Sequence, residues 1–527
     1  MPHAAAMRVV LCAAPHMERL RSCARELALP TASGVLYFLS WVGFGVWPLA
    51  FVCFVPLLFS LRDATPREAL RRGWWMGFVT HLGGYAWVVH MLQAFAYFPL
   101  PLALLGYLLL CAAQGLLFGV LSVVLVEAAR RCRFRLVALL PIALCAVEWA
   151  YPLLFQSYTG VALAPLSPLV QVADLGGVIL LSALQAVVNG ALADVVLLRA
   201  RGGGFRASPA RPLAVSALCL CASFAYGATR MLQIQRRERA APHLAVGIAQ
   251  PNVGEVELHR NPLASVQALW RETEELHGRG AELVVWPEAA FNVRPVDLAH
   301  REFGKAIQGG VPVPLIAGVV RVEGQDKIWN SAVAISADGR IGDHYDKIKL
   351  LAFGEYIPLG DYFPALYRWS PMSSHLQRGT TTAPLRVAGY RFATVICYED
   401  ILPDIVRAVM ADHGEGRAHA LVNLTNDSWY GRGHEQEQHL ILASIRSIEH
   451  RRWLVRATST GISAFVDAMG RVVQRIPLDQ RGVAVQQVAM LEGSTPYEVL
   501  GDWPGYLSAL ILLGIFGRDL VRRRVRR

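Results

Sequence analysis

Runs without charge dominate the first half of the chain and then stop. No charged residue occurs from Leu27 to Leu61 or from Gly73 to Val126, and shorter apolar runs follow at Leu136 to Tyr151, Leu175 to Leu198, Pro212 to Thr229 and about Trp503 to Gly517. The first run is interrupted at Gly43 to Pro48 and the second at Tyr97 to Pro101, so each predicts two spans and the whole chain about eight. A bilayer core leaves backbone groups no partners but one another, and these runs do not alternate. Helices are therefore expected rather than barrel strands.

Between Ala241 and Glu498 the pattern becomes that of a soluble domain. His243 to Ala249, Glu282 to Trp286, Leu315 to Val322, Ser331 to Ile335, Arg391 to Cys397 and Ala420 to Leu424 read as strands; Pro262 to His277 and Glu435 to Glu449 read as helices. Asp338-Gly339 predicts a hairpin turn. Strands alternating with helices indicate an α/β domain with helices packed on sheets. The expected division is a short N-terminal segment (1–26), a membrane domain with seven spans (27–235), a polar domain (236–498), and a last span with a basic tail (499–527).

Charge then gives this arrangement a direction. The net charge is +11, but the arginines sit just outside the apolar runs rather than on one polar face, which argues against nucleic acid as a partner. They cluster before the first span, in Arg62 to Arg72, Arg130 to Arg135 and Arg199 to Arg211, and after Arg518. With eight spans all these segments share one side, as expected of a cytoplasmic face, and the polar domain falls outside. Arg236, Arg237 and Arg239 run against that trend, but a long translocated domain follows them. The arginines near the N-terminus precede an apolar stretch too long for a signal peptide, so an uncleaved first span is expected.

Of nine cysteines, only Cys397 lies between Ala241 and Glu498, so that region has no internal disulfide, and no cysteine spacing suggests a metal site. Three segments place a reactive side chain at the end of an apolar strand: LVVWPEAA with Glu288, DHYDKIKLLAFGEYIP with Lys347, and FATVICYED with Cys397. A thiol of reference pKa ~8.5 becomes a nucleophile when a base takes its proton or a cation steadies the thiolate. Glu288 is the candidate base and Lys347 the candidate cation, with Lys349 as its rival. An aromatic stretch from Phe353 to Trp369, including Tyr356, Tyr362, Phe363 and Tyr367, is either ordinary core or an apolar lip for an acyl chain. Histidines 81 and 90 are expected to hydrogen-bond within the bundle. Glu148 and Asp174 flank a loop, where a solvated role and a substrate contact both stand open.

Trp286-Pro287-Glu288, Tyr345 and Lys347 followed by Phe353-Gly354-Glu355-Tyr356, Cys397-Tyr398-Glu399, and Thr425-Asn426-Asp427 with Trp429 together resemble the motifs of the carbon-nitrogen hydrolase (nitrilase) superfamily. Joined to about eight spans, they resemble the bacterial apolipoprotein N-acyltransferases over essentially the whole chain. Ala352 and Ser459 depart from that pattern without touching the three reactive residues.

The resemblance implies a polytopic α-helical membrane domain plus a nitrilase-like α-β-β-α sandwich, in the bacterial inner membrane with the sandwich on the periplasmic side. It implies no cofactor and no metal. Glu288, Lys347 and Cys397 would be catalytic; Glu355, Tyr398 and Glu399 would support them; Phe353, Tyr356 and Trp429 would contact substrate. A phospholipid would donate a fatty acyl group through a Cys397 thioester, and a diacylglyceryl-modified lipoprotein would accept it. Two other readings are a membrane-anchored amidase that gives the acyl group to water, and a lipid-binding scaffold without activity.

Overall fold

In the computed structural model, residues 26–525 are described apart from 96, 201–209, 254–260, 262, 325–326, 353, 358–359, 361, 364 and 366–374. Helices occupy each of the eight apolar stretches. They are α1 (26–40), α2 (Val55–Ser60, led in by a 3-10 turn at Trp47–Phe51), α3 (Pro66–Gly84) with α4 (Trp87–Phe95), α5 (Leu100–Arg131) and α6 (Leu136–Ala150). A short α7 (Ser167–Val170) precedes α8 (Ala173–Ala200) and α9 (Ala210–Ala240). The last helix of the chain, α15, runs from Trp503 to Val525. Among the described residues, α5, α8 and α9 are long and apolar enough to cross a bilayer alone; α2 and α6 are shorter than the ~20 residues a crossing takes.

Close packing of α3 on α5 depends on glycine. Each helix carries two glycines four residues apart, Gly73 and Gly77 on α3, Gly115 and Gly119 on α5, so both sit on one face. A Cβ on Gly77 would collide with the backbone of Gly115, and one on Gly115 would come within 2.6 Å of the Phe78 nitrogen. Backbones thus meet where side chains would hold them apart. His81 lies on α3 in this contact region, buried, with its Nδ1 2.7 Å from the Gly77 carbonyl, the intrabundle role expected of it. His90, on α4, lies beside Gly431 of the polar domain.

The polar domain is a sandwich of two mixed sheets. The first has the order β13 (Gly482–Ala489), β1 (His243–Gln250), β2 (Leu283–Val285), β4 (Leu315–Glu323), β5 (Lys327–Ile335), β6 (Ile341–Asp346), with β3 (Phe291–Asp297) also paired to β4. The second runs β12 (Val472–Ile476), β11 (Ser463–Val466), β10 (Leu454–Thr458), β9 (Ala420–Thr425), β8 (Tyr390–Ile396), β7 (Leu385–Val387). Strands β1, β2 and β4 are mutually parallel, as are β8, β9 and β10, and antiparallel strands flank each trio. Such strands, covered on both faces, read as continuous apolar runs rather than as alternation, and β2, β9 and β10 are buried at every residue.

Val246, Ile248 and Val285 of the first sheet share a core with Val395, Leu421 and Val455 of the second. Outside the first sheet, α10 (Ala264–Gly278) lays Val266, Leu269 and Leu276 over its other face, with α11 (Gly304–Gln308) beside it. Outside the second lie α12 (Pro403–Val409) and α13 (Glu435–His450), giving the expected four layers.

Helix α13 is buried on two sides, because its Ile445 and Ile448 pack on Leu163, Val170 and Val178 of the membrane half. Charges reinforce that contact. Arg451 and Arg230 both reach Asp174, at 2.9 and 2.8 Å, and Glu449 accepts from the Val178 amide. Asp174 is fully buried and Glu148 nearly so, the latter accepting from the Thr159 amide and hydroxyl. The solvated reading of both carboxylates is therefore corrected: each is needed inside to satisfy donors that water cannot reach. The short α14 (Pro496–Leu500) then leads into α15.

If glycine sets the α3 to α5 distance, Gly77→Val forces the helices apart and costs about 1–3 kcal/mol of overpacking strain. Thermal unfolding in detergent should show a lowered midpoint, whereas Gly514→Val, at an open position on α15, should leave it unchanged.

Candidate active site

Cys397 follows β8 directly and opens a 3-10 turn, Cys397–Ile401, with a φ of +56°. A side chain in the left-handed region carries strain of about 1–3 kcal/mol and persists only where its surroundings hold it. Three buried groups hold this turn. Asn423 of β9 donates Nδ2 to the Cys397 carbonyl at 2.9 Å. Glu399 accepts from the Ile396 amide on the near side and from the Ile348 and Lys349 amides across the cleft, each at 2.8 Å, and from the Tyr345 hydroxyl at 2.9 Å. Tyr398 donates its hydroxyl to the Leu350 carbonyl at 3.0 Å. Glu399 and Tyr398 thus clamp the segment that follows β6 to the cysteine turn.

That segment carries Lys347, which is 2% exposed and lies between two carboxylates. Its Nζ is 3.1 Å from Glu288 Oε1 and 2.8 Å from Glu355 Oε1. Asn330 of β5 donates Nδ2 to the same two oxygens, at 2.7 and 3.0 Å. Lys349, the rival, points to solvent. Glu288 comes from the turn after β2, where Ala289 has a φ of +46°. Gly318 of β4 lets that turn lie close: a Cβ there would reach within 2.8 Å of the Glu288 Cα.

Burial makes each group prefer its neutral form, and the neighbours then sort them. Lys347 is lowered by desolvation, but Glu288, Glu355 and Cys397 outweigh that and raise it well above the usual lysine value, so it stays an ammonium. Burial and the Glu288 charge push the Cys397 thiol well up, against the opposing pull of Lys347. Burial also raises Glu288, with Lys347 opposing and Glu355 adding to the rise. A resting neutral thiol beside a carboxyl of raised affinity for protons needs a base to take its proton as it attacks, rather than a standing thiolate.

These groups line one cavity of about 530 Å³. Ile328, Leu351 and Leu376 give it apolar walls, Trp429 and Tyr430 close one side, and Tyr97 enters from the loop before α5. The interruption of the second apolar run therefore delivers an aromatic side chain to the cavity. Tyr356 is not among the lining residues; it lies half-buried with the Arg378 guanidinium 5.2 Å from its ring centre. Phe353 lies outside the described residues, as do Tyr367 and Trp369. Tyr362 and Phe363 are exposed, which removes the core reading for those two.

Asn330, Asn423 and Tyr430 escape a reading of the sequence taken alone, and so does a second ionic cluster beneath the cysteine turn. Arg456 of β10 contacts Asp400 at 2.7 Å and Asp427 at 3.0 Å and donates to the Asn423 Oδ1 at 3.0 Å. His439 of α13 stands 2.8 Å from Asp400 and 3.3 Å from Asp427, with Glu435 3.6 Å away. All are buried. Asp427, Glu435 and His439 are close enough together to hold a cation, but Arg456 already supplies positive charge to the same carboxylates. One signal was available: Asn423, Thr425 and Asp427 recur at alternate positions along and just past β9.

Residues 33–191 match the family described as apolipoprotein N-acyltransferase N-terminal domain, and residues 246–495 match the carbon-nitrogen hydrolase family. The apolipoprotein N-acyltransferase of Azotobacter vinelandii is 32% identical over 522 residues, covering 95% of each chain. That of Pseudomonas syringae pv. tomato is 30% identical over 519 residues, 94% of this chain and 97% of its own. Among solved structures, an amidase from Nesterenkonia sp. is 18% identical, with a TM-score of 0.37 over 47% of this chain and 91% of that one.

Burial and Arg456 lower the His439 pKa, but Asp400 and Asp427 outweigh them and raise it to about 10. A folded pKa above the unfolded value of ~6.5 gives stability that is complete below ~6.5 and lost as pH rises toward 10. The thermal midpoint should therefore fall across that window, and His439→Gln should flatten the fall; parallel curves for the two proteins would show that His439 is neutral throughout.

Proposed function

The chain belongs to the apolipoprotein N-acyltransferase family, and from that membership and the geometry of the cavity we propose that Cys397, Glu288 and Lys347 carry a fatty acyl group from a phospholipid to the amine of a lipoprotein. The observation that supports this most directly is the arrangement itself: the one thiol of the polar domain shares a cavity with an ammonium held by two carboxylates, and the bundle contributes Tyr97 to that same cavity.

In the first half-reaction Glu288 takes the thiol proton as Sγ attacks the ester carbonyl carbon. Charge gathers on the carbonyl oxygen, where the Lys347 ammonium meets it without having to reorganise. The ester C–O bond breaks, the lyso-phospholipid oxygen leaves with the proton from Glu288, and the acyl group remains on sulfur as a thioester. In the second half the α-amine of a diacylglyceryl-modified cysteine attacks that thioester. Glu288 takes a proton from the amine, the C–S bond breaks, and the proton returns to the sulfur. Glu355 accepts from Lys347 and from the Leu351 amide, which fixes the ammonium toward the thiol. Glu399 and Tyr398 act as positioning residues, and Trp429 as part of the apolar wall. Asn330 joins them, since it donates to both carboxylates.

Water as the acceptor would make the chain a hydrolase, and the names carried by its relatives do not favour that. An inactive scaffold would have no use for Lys347 buried between two carboxylates. The protein is a membrane protein. The boundaries 27–235, 236–498 and 499–527, the inner membrane, and a periplasmic position for the sandwich are part of this proposal. They are supported by the arginines at the ends of the helices and by α9, whose 31 residues carry the chain out of the bundle directly into β1.

Mixing the protein with phospholipid alone should add the mass of one acyl chain at Cys397, removable by hydroxylamine. Cys397→Ala should show no adduct and no transfer while remaining inserted; undiminished turnover in that variant would sink the assignment. Lys347→Ala should lower turnover by at least about a hundredfold, the scale of losing one group that stabilises a developing oxyanion, while Lys349→Ala should stay near the native rate.

A further inference from the structure

The end of the bundle remote from Cys397 holds a second cavity, of about 520 Å³, between the ends of α2, α5, α6 and α8. Tyr97 precedes α5 and lines the catalytic cavity, whereas Arg130 stands near the other end of that helix; α5 has 32 residues and is about 48 Å long. Acyl transfer therefore makes no use of this space.

Two unlike surfaces meet in it. Leu58, Leu125, Leu197 and Leu198 form an apolar wall open between α5 and α8, and Arg62, Arg130 and Arg135 form the polar side. Most of the charges there already have partners. Arg62 pairs with Asp63 at 3.2 Å; Arg130 donates to Glu127 at 2.9 Å and to the Ala64 carbonyl at 3.0 Å. Asp194 accepts from the Leu136 and Val137 amides at 3.1 and 3.0 Å, capping α6. Arg135 differs: it interacts electrostatically with Asp194, but its Nη1 is buried and makes no hydrogen bond among the described residues. A buried guanidinium donor left unpaired is destabilising until an acceptor reaches it. Counting the neighbouring Arg131 and Arg133, positive groups outnumber the acids Asp63, Glu127 and Asp194 at this end.

We propose that this cavity binds an anionic phospholipid, whose phosphate accepts from Arg135 and whose acyl chain lies on the leucine wall between α5 and α8. A free phosphate would satisfy Arg135 and leave the half-buried Leu197 and Leu198 uncovered; a lipid of no net charge would cover them and leave the surplus positive charge uncompensated. An anionic lipid answers both, and basic recesses between spans at an arginine-rich membrane face take such headgroups. The site is independent of the acyl donor, which has to reach Cys397 at the other end of the bundle.

Native mass spectrometry of the full chain, stripped of lipid in detergent, tests this with three probes: phosphatidylglycerol, phosphatidylcholine of the same chains, and inorganic phosphate. The native protein should retain one phosphatidylglycerol about tenfold more tightly than phosphatidylcholine, the scale of one charge-assisted contact. Arg135→Met should abolish that preference and Arg135→Lys restore part of it. Leu198→Trp, which fills the wall and keeps the arginine, should weaken both lipids, and it provides an independent arm if Arg135→Met does not fold. Equal retention of the two lipids, a preference that survives Arg135→Met, or phosphate that displaces the lipid at equal concentration would each overturn the proposal.

Discussion

An ammonium buried among carboxylates is the constraint around which the sandwich is organised. Lys347 has almost no contact with solvent, and a lone charge in such a place would be forced to give up its proton. Glu288 and Glu355 prevent that, yet they arrive from separate parts of the chain, one from the turn after β2 and one from the segment beyond β6. Their meeting requires β4 to carry a glycine at 318, so that the Glu288 turn can lie flat on it, and requires Asn330 to donate to both. The cysteine turn is bound to the same assembly through Glu399, whose four accepted hydrogen bonds join the lysine segment to the residue before Cys397. Position and protonation at the site are thus one problem with one solution.

A second set of buried charges does for the architecture what the first does for the chemistry. The Arg456 cluster lies under the cysteine turn, and the Asp174 pair with Arg230 and Arg451 lies where α13 meets the bundle. Buried pairs contribute little net stability compared with an apolar filling, but an arrangement that strands one partner is heavily disfavoured. The Arg451–Asp174 pair therefore favours a single orientation of the sandwich on the helices, and that orientation brings Tyr97 to the cavity that contains Cys397.

Much of this was legible in the residues. Apolar runs marked α6 almost to the residue and the start of α15, which then continues past the expected Gly517 through the arginines to Val525, because in a long uncharged run nothing competes with the helical hydrogen bonds. Glu288, Lys347 and Cys397 stood out because each ends an apolar strand. What escaped was pairing at a distance. No periodicity tells that Asn423 on β9 will hold the carbonyl of Cys397, or that His439 on α13 will face Asp400, since both relations exist only after two sheets and a helix have stacked. Burial of Glu148 and Asp174 was hidden for a related reason: a carboxylate beside a loop reads as wet unless its donors are known. The glycine pairs on α3 and α5 were written in the sequence, but a hydropathy reading weighs glycine as nearly neutral and passes over its size.

The first and last strands of the sandwich are neighbours: β1 pairs antiparallel with β13 along its whole length, from His243 with Ala489 to Gln250 with Gly482. During synthesis the ribosome releases β1 more than two hundred residues before its partner exists. The emerging chain must therefore keep an apolar edge unmated, anchored by α9, until almost the entire domain has been made. Any ribosomal pause or truncation before residue 482 leaves that edge open beside the membrane, so this protein is exposed to misassembly chiefly at the end of its own production.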